Sequence, residues 1–150
     1  MYNTEIFGTN EENRREIHMG IDIGAPVGSP IYLFYPGKIF CAAIHSQQGN
    51  YGGTIITEHV ITDVKIWALY GHLSRSSVER ALGLKKLDAG ETIGWIGNQI
   101  ENGGWAPHLH FQLSVQGPPK CDMQGVVSLK DHQESLKTFL DPRIVLGNIY

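Results

Sequence analysis

The chain has no excess of positive charge, few cysteines and no long apolar run, and each shortage removes a class of function. Lys and Arg number 12 against 15 Asp and Glu, for a formal net charge of -3. A nucleic-acid-binding domain normally carries a basic patch. Here Lys85 and Lys86 are the only adjacent lysines, and a solvated turn accounts for them, so nucleic acid is not an expected partner. The two cysteines, Cys41 and Cys121, are too few for a Cys-rich zinc site or a disulfide framework. Buried free thiols are the favoured expectation, and a single bridge stays open because sequence does not give their separation in space. No stretch approaches the roughly 18 apolar residues that mark a membrane span. Met1 to Ile17 lacks the basic start and apolar run of a secretion signal. The expectation is a soluble chain, cytoplasmic unless a leader has been trimmed.

What is present points to strands. The 150 residues suit one domain, and 41% are hydrophobic, enough for one core. Eighteen Gly and seven Pro fit short strands joined by turns better than a helical bundle. Strand-like runs cover Pro30 to Tyr35, Lys38 to Ile44, Thr54 to His59, Val64 to His72, Glu91 to Ile96 and Pro107 to Val115. Pro36-Gly37, Thr62-Asp63 and Asp88-Ala89-Gly90 are turns between them. Ser74 to Leu82 reads as a short helix capped by Ser74, with Ser77 exposed. Ser135 to Leu140 reads as a helical turn ending before Asp141-Pro142. Residues 1–16 form a polar lead-in and 117–150 a less regular C-terminal extension of a single domain. The expected fold class is all-β: antiparallel sheets in a compact sandwich or barrel-like domain, with long loops around a cleft.

Pro107 to Val115 alternates strictly. Leu109, Phe111, Leu113 and Val115 share one face; His108, His110, Gln112 and Ser114 share the other. The apolar face belongs to the core, and both histidines project onto a polar surface, an arrangement suited to metal binding or acid–base work. His18-Met19-Gly20-Ile21-Asp22 supplies a second pair. In an extended chain His18 and Asp22 share a face, with Gly20 between them leaving room for an ion. Two His and one carboxylate with an open fourth position suit a catalytic zinc. His108, two residues from a ligand, is placed to act as base on the activated water. Leu69-Tyr70-Gly71-His72-Leu73-Ser74 adds a third segment, in which His72 ends a strand. His45, His59 and His132 have no partner at ligand spacing and read as surface or satisfied structural residues.

Taken in order, His18-x-x-x-Asp22, Tyr70-Gly71-His72-Leu73 and Pro107-His108-Leu109-His110-Phe111 resemble the motifs of the lysostaphin-type (LytM-like) zinc endopeptidases. The likeness runs from about residue 17 to 115, with the strand and turn at Asp22 to Ile31 and the turn at Ala89 to Gly94 matching as well. The resemblance implies zinc as cofactor, held by His18, Asp22 and His110. It implies His108 as general base and His72 as stabiliser of the oxyanion. Peptide or peptidoglycan is the implied substrate, with Gly or Ala beside the cut; such enzymes usually act in the periplasm or outside the cell. Tyr70 and Trp105 are weaker candidates for substrate contact. Asn50 to Ile56, Leu69 to Ser74 and Glu101 to His108 also resemble the peptidase-like domain of certain fused phosphotransferase–aminotransferase proteins. Two readings stand beside the peptidase. One is a non-catalytic binding or regulatory module on the same fold, against which the full set of five functional positions argues. The other is a non-haem Fe(II) oxygenase, since two His and a carboxylate also suit iron.

Overall fold

A computed structural model of the chain describes residues 14–149; most of the expected polar lead-in lies outside that range. Eleven strands alternate with three short helices among these residues. In chain order they are β1 (Arg15–His18), β2 (Ile21–Gly24), β3 (Pro30–Tyr32), β4 (Gly37–His45), β5 (Gly52–Ile61), β6 (Val64–Leu73), α1 (Arg75–Leu82), β7 (Lys86–Leu87), β8 (Thr92–Trp95), β9 (His108–Ser114), β10 (Val126–Ser128), α2 (Leu129–Ser135), β11 (Phe139–Leu140) and α3 (Arg143–Leu146). Every strand pairing is antiparallel. The all-β expectation holds, without closure into a barrel.

One large sheet runs β11-β9-β6-β5-β4-β7. β2 adds to the free edge of β9, pairing Ile21 with Phe111 and Gly24 with His108, while β11 takes the rest of that edge. Two ribbons, β1–β10 and β3–β8, complete the structure. The β5–β6 hairpin turns at Thr62 and Asp63, whose φ values of 46° and 69° supply the paired left-handed geometry that matches strand twist. Ser74 caps α1 by accepting a bond from the Ser77 amide. Ser77, expected on the exposed side, is fully buried instead. Its hydroxyl accepts from the Trp95 amide at 2.8 Å and ties the helix to β8.

Alternation along β5, β6 and β9 builds a core on each face of the sheet. Ile55, Ala68, Tyr70, Leu109, Phe111 and Leu113 pack with Leu33, Ile93 and Ile96 on one side. Ile56, Leu69 and Met123 pack on the other, joined by Tyr51, Trp67 and the two cysteines. This second core corrects the picture of β9 as half-exposed. Only His108 is partly exposed, and every residue from Leu109 to Ser114 is buried. The cause is the segment 116–125, which folds back over the polar face of β9.

That segment is fastened by a disulfide between Cys41 on β4 and Cys121, with Cα atoms 5.7 Å apart. The expectation of free thiols is thereby overturned. The two residues are 80 apart in sequence, and only the folding-back of 116–125 brings them together. The C-terminal extension is likewise more regular than its sequence pattern indicates. β10 pairs with β1, β11 pairs with β9, and the region holds two helices, α2 and α3; the helical turn expected over 135–140 is confined to 136–138, between the end of α2 and β11. Arg15 and Glu16, counted with the lead-in, already belong to β1.

Candidate active site

β9 and β2 bring the site together. Asp22 and His110 are direct cross-strand partners, so their side chains leave the sheet on the same face. His18 arrives differently from the extended reading of its segment. It ends β1, the chain bends at Met19-Gly20, and Asp22 lies on the next strand. The bend carries His18 Nε2 to 3.3 Å from Asp22 Oδ1 and 3.0 Å from His110 Nδ1. His110 Nδ1 is itself 3.0 Å from Asp22 Oδ1. Gly20 makes room for the His110 ring rather than directly for an ion: a Cβ there would lie 2.7 Å from His110 Cε1 and Nε2.

Three donor atoms thus converge from His18, Asp22 and His110. Zinc bound at about 2.0–2.1 Å in tetrahedral geometry separates its ligand atoms by about 3.3 Å. The triangle here, with edges of 3.0, 3.0 and 3.3 Å, is one face of such a tetrahedron with little adjustment. The protonation states agree with that use. Burial, reinforced by His110, lowers the His18 pKa and keeps the ring neutral. Burial alone would raise the Asp22 pKa, but the His110 hydrogen bond and the neighbouring imidazoles pull it below its ordinary value.

His108 borders this triad, with Nε2 3.8 Å from Asp22 Oδ1. Its Nδ1 donates to the Ala106 carbonyl at 2.6 Å, leaving a lone pair on Nε2 facing the site. His72 lies against it, the ring centroids 4.1 Å apart. Its Nδ1 donates to the Asn102 carbonyl at 2.8 Å.

The path of β6 explains how His72 gets there. Leu69 joins the core on the site's side, Tyr70 joins the opposite core, and simple alternation would send His72 after Tyr70. The register shifts between the Gly53–Leu73 and Ile55–Tyr70 pairs, and His72 adopts φ of 63°. This bulge turns its side chain back toward the cleft, a recurrent use of bulges beside functional sites. Tyr70 is not turned. It is 2% exposed, packs against Phe111 at 5.3 Å between centroids, and is a core residue instead of a substrate contact.

Trp105 does line the cleft, a cavity of about 950 Å³ bounded by residues 47–51, 105–108 and 119–126. The fully buried Asn102 organises the loop that carries it. The Asn102 amide donates to the Trp105 carbonyl at 2.9 Å and accepts from the Trp105 amide at 3.0 Å. Sequence reasoning missed Tyr51. Its hydroxyl donates to the Met123 carbonyl at 3.0 Å, and its ring lies 5.0 Å from His110. It occupies space left by Gly71, where a Cβ would come within 2.7 Å of the ring. The Asn50-Tyr51-Gly52-Gly53 run was the available signal. His45 and His59 are satisfied structurally, by the Cys121 carbonyl and by Thr57 with the Pro36 carbonyl.

Comparison with known proteins gives the same answer as the motifs. The chain is 33% identical over 112 residues to the peptidoglycan DD-endopeptidase ShyA of Vibrio cholerae, covering 75% of this chain and 24% of that protein. It is 33% identical over 99 residues to lysostaphin of Staphylococcus simulans, covering 66% and 18%. The chain therefore spans at most about a quarter of the length of these curated relatives. Among solved structures, the catalytic domain of the prophage-encoded M23 protein EnpA from Enterococcus faecalis superposes with a TM-score of 0.54 at 28% identity. That alignment covers 81% of this chain and 83% of the other. The catalytic domain of lysostaphin from Staphylococcus simulans gives 0.51 at 26% identity, covering 88% and 80%. Residues 16–121 match Peptidase family M23, and the chain belongs to that family.

Proposed function

We propose that the chain is a zinc-dependent endopeptidase that cuts peptide bonds between small residues in peptidoglycan. The observation that carries this reading is the convergence of His18 Nε2, Asp22 Oδ1 and His110 Nδ1 beside an imidazole whose lone pair is free to take a proton. His18, Asp22 and His110 would hold the zinc, which would supply Lewis-acid activation of a water and of the scissile carbonyl.

The chain's own residues do the remaining work. His108 accepts the proton of the attacking water at Nε2 and returns it to the leaving amine. The Ala106 carbonyl holds the ring in the tautomer that permits this. His72 presents Nε2 to the same space. With Nδ1–H committed to Asn102, that nitrogen donates to the developing oxyanion only when the ring is protonated. Burial beside His108 pushes the His72 pKa down to about 3, so the resting ring accepts a hydrogen bond and orients the water. Negative charge growing on the carbonyl oxygen would raise the ring's affinity for a proton, and one taken up from the solvent in the cleft would let Nε2 donate to that oxygen. Trp105 and the loops at 47–51 and 119–125 form the walls that receive the peptide.

The substrate class rests on the relatives named for peptidoglycan cleavage and on the Cys41–Cys121 bridge. A structural disulfide belongs to an oxidising compartment, and the cell wall lies in one. The bridge weighs against the cytoplasmic expectation. No helix among the described residues is long and apolar enough to cross a membrane.

The test is incubation with purified peptidoglycan and with oligoglycine peptides, products being read by mass. Cleavage that stops on zinc removal and returns on its addition is expected. No cleavage of either substrate refutes the proposed specificity. Stoichiometric iron with oxygen-dependent turnover refutes the zinc reading.

A further inference from the structure

We propose that Gln112 is a positioning residue that fixes the tautomer of the ligand His110, and that the backbone carbonyl of Gln124 fixes Gln112. The inference rests on the metal-site reading above and extends it one layer outward.

His110 presents Nδ1 to Asp22 and His18. To bind a cation, that nitrogen must carry a lone pair, and the ring proton must sit on Nε2. The Nε2 atom lies 3.0 Å from Gln112 Oε1. Gln112 is fully buried, so it has no water with which to satisfy its amide. Its own Nε2 lies 3.2 Å from the Gln124 carbonyl oxygen.

The order of constraint follows from what each group can do. A backbone carbonyl only accepts, so the Gln112 NH₂ must face Gln124. Rotating the amide by half a turn would set two carbonyl oxygens against each other in a buried place, a cost of about 1–3 kcal/mol for each group left unpaired. Gln112 Oε1 is thereby aimed at His110. An oxygen there accepts, so His110 Nε2 must donate. With a cation taking the place of the Asp22 hydrogen bond, Nδ1 would then keep its lone pair for the metal. Tyr51 does not compete: its hydroxyl hydrogen goes to the Met123 carbonyl, and its oxygen stands 3.4 Å from His110 Nε2.

The relay begins in the segment that covers β9. Gln124 lies between Met123, whose carbonyl takes the Tyr51 hydroxyl, and Gly125, whose carbonyl takes the Met19 amide at 2.8 Å. The covering segment therefore sets the electronic state of a ligand that it does not itself supply.

Zinc affinity, measured by competition with a chromogenic chelator, tests this without reference to turnover. Gln112→Met keeps volume and removes the acceptor. We expect zinc binding roughly 10–100-fold weaker. Gln112→Glu, kept protonated by burial so that its O–H replaces the amide donor to Gln124 while its carbonyl oxygen accepts from His110, is expected to recover most of the affinity. Gln112→Met binding zinc as tightly as wild type overturns the inference, and so does failure of the Glu variant to recover. If Gln112→Met does not fold, long-range nitrogen–proton NMR on the zinc-loaded wild type decides. A His110 proton on Nε2 supports the relay, and one on Nδ1 refutes it. A folded wild type that takes up no zinc removes the metal-site reading itself, which distinguishes that failure from a failure of Gln112.

Discussion

Replacing both Cys41 and Cys121 with Ala removes the disulfide cross-link between β4 and the segment that covers the site. The size of the effect can be worked from the chain. The bridge spans a separation of 80 residues. Closing a loop of that length costs the unfolded chain about 15 cal/mol/K, or about 4.5 kcal/mol at 25 °C. With a urea dependence of about 2 kcal/mol per molar for a domain of this size, the unfolding midpoint falls by roughly 2 M. The assay is urea unfolding of metal-free wild type and double variant, followed by Trp fluorescence. A variant is preferable to a reductant, because many thiols also bind zinc. Loosening the 116–125 segment should weaken zinc binding as well, since Gln124 and Met123 hold Gln112 and Tyr51 through their carbonyls. A double variant within about 1 kcal/mol of wild type, with unchanged zinc affinity, refutes the view that the bridge holds this segment in place.

Gly20→Ala places a methyl 2.7 Å from the His110 ring and from the Phe111 carbonyl oxygen. It should cost about 1–3 kcal/mol and weaken zinc binding, as thermal melts and zinc titration would reveal. His110→Ala should abolish zinc uptake, whereas His108→Ala should retain zinc and lose about 10²–10⁴-fold in turnover; full activity of His108→Ala contradicts its role as base. Burial lowers the His59 pKa, opposed only in part by hydrogen bonds that the ring donates to the backbone of Pro36 and Tyr35. The folded state therefore binds fewer protons than the unfolded state near neutrality. The resulting stability is complete above the ordinary value of about 6.5 and is lost as pH falls through the folded value. Denaturant unfolding of zinc-loaded protein between neutral and mildly acid pH should show this decline, reduced in a His59→Gln variant.

The strands and the His18–Asp22–His110 cluster could be read from the sequence because they rest on local regularities. β9 declares itself by alternation, the β5–β6 hairpin by Thr62-Asp63, and α1 by its Ser74 cap. The histidine and aspartate spacings carry the family's motifs. What escaped depends on contacts distant in sequence. The polar face of β9 looks exposed until residues 116–125 are laid over it, and the same fold-back joins Cys41 to Cys121. Tyr70 and His72 have the same parity on β6, so no alternation rule separates them; the bulge at His72 does. Gln112 and Tyr51 gain their meaning only from Gln124 and Met123, acceptors that are backbone atoms and leave no side-chain signature.

The placement of the chemistry on β9 has a consequence for how such a protein can change. His108 and His110 sit on an interior strand, hydrogen-bonded to β6 on one edge and to β2 on the other. Their positions are maintained by the same pairings that maintain the domain, so the two imidazoles have little freedom to drift while the protein stays folded. The walls of the cleft are instead loops, at 47–51, 105–107 and 119–125. Loops accept insertions and exchanges that strands do not. Altering which peptide is cut should therefore be achievable by grafting walls onto an unchanged strand, making the preference for a bond and the capacity to break it separately heritable traits.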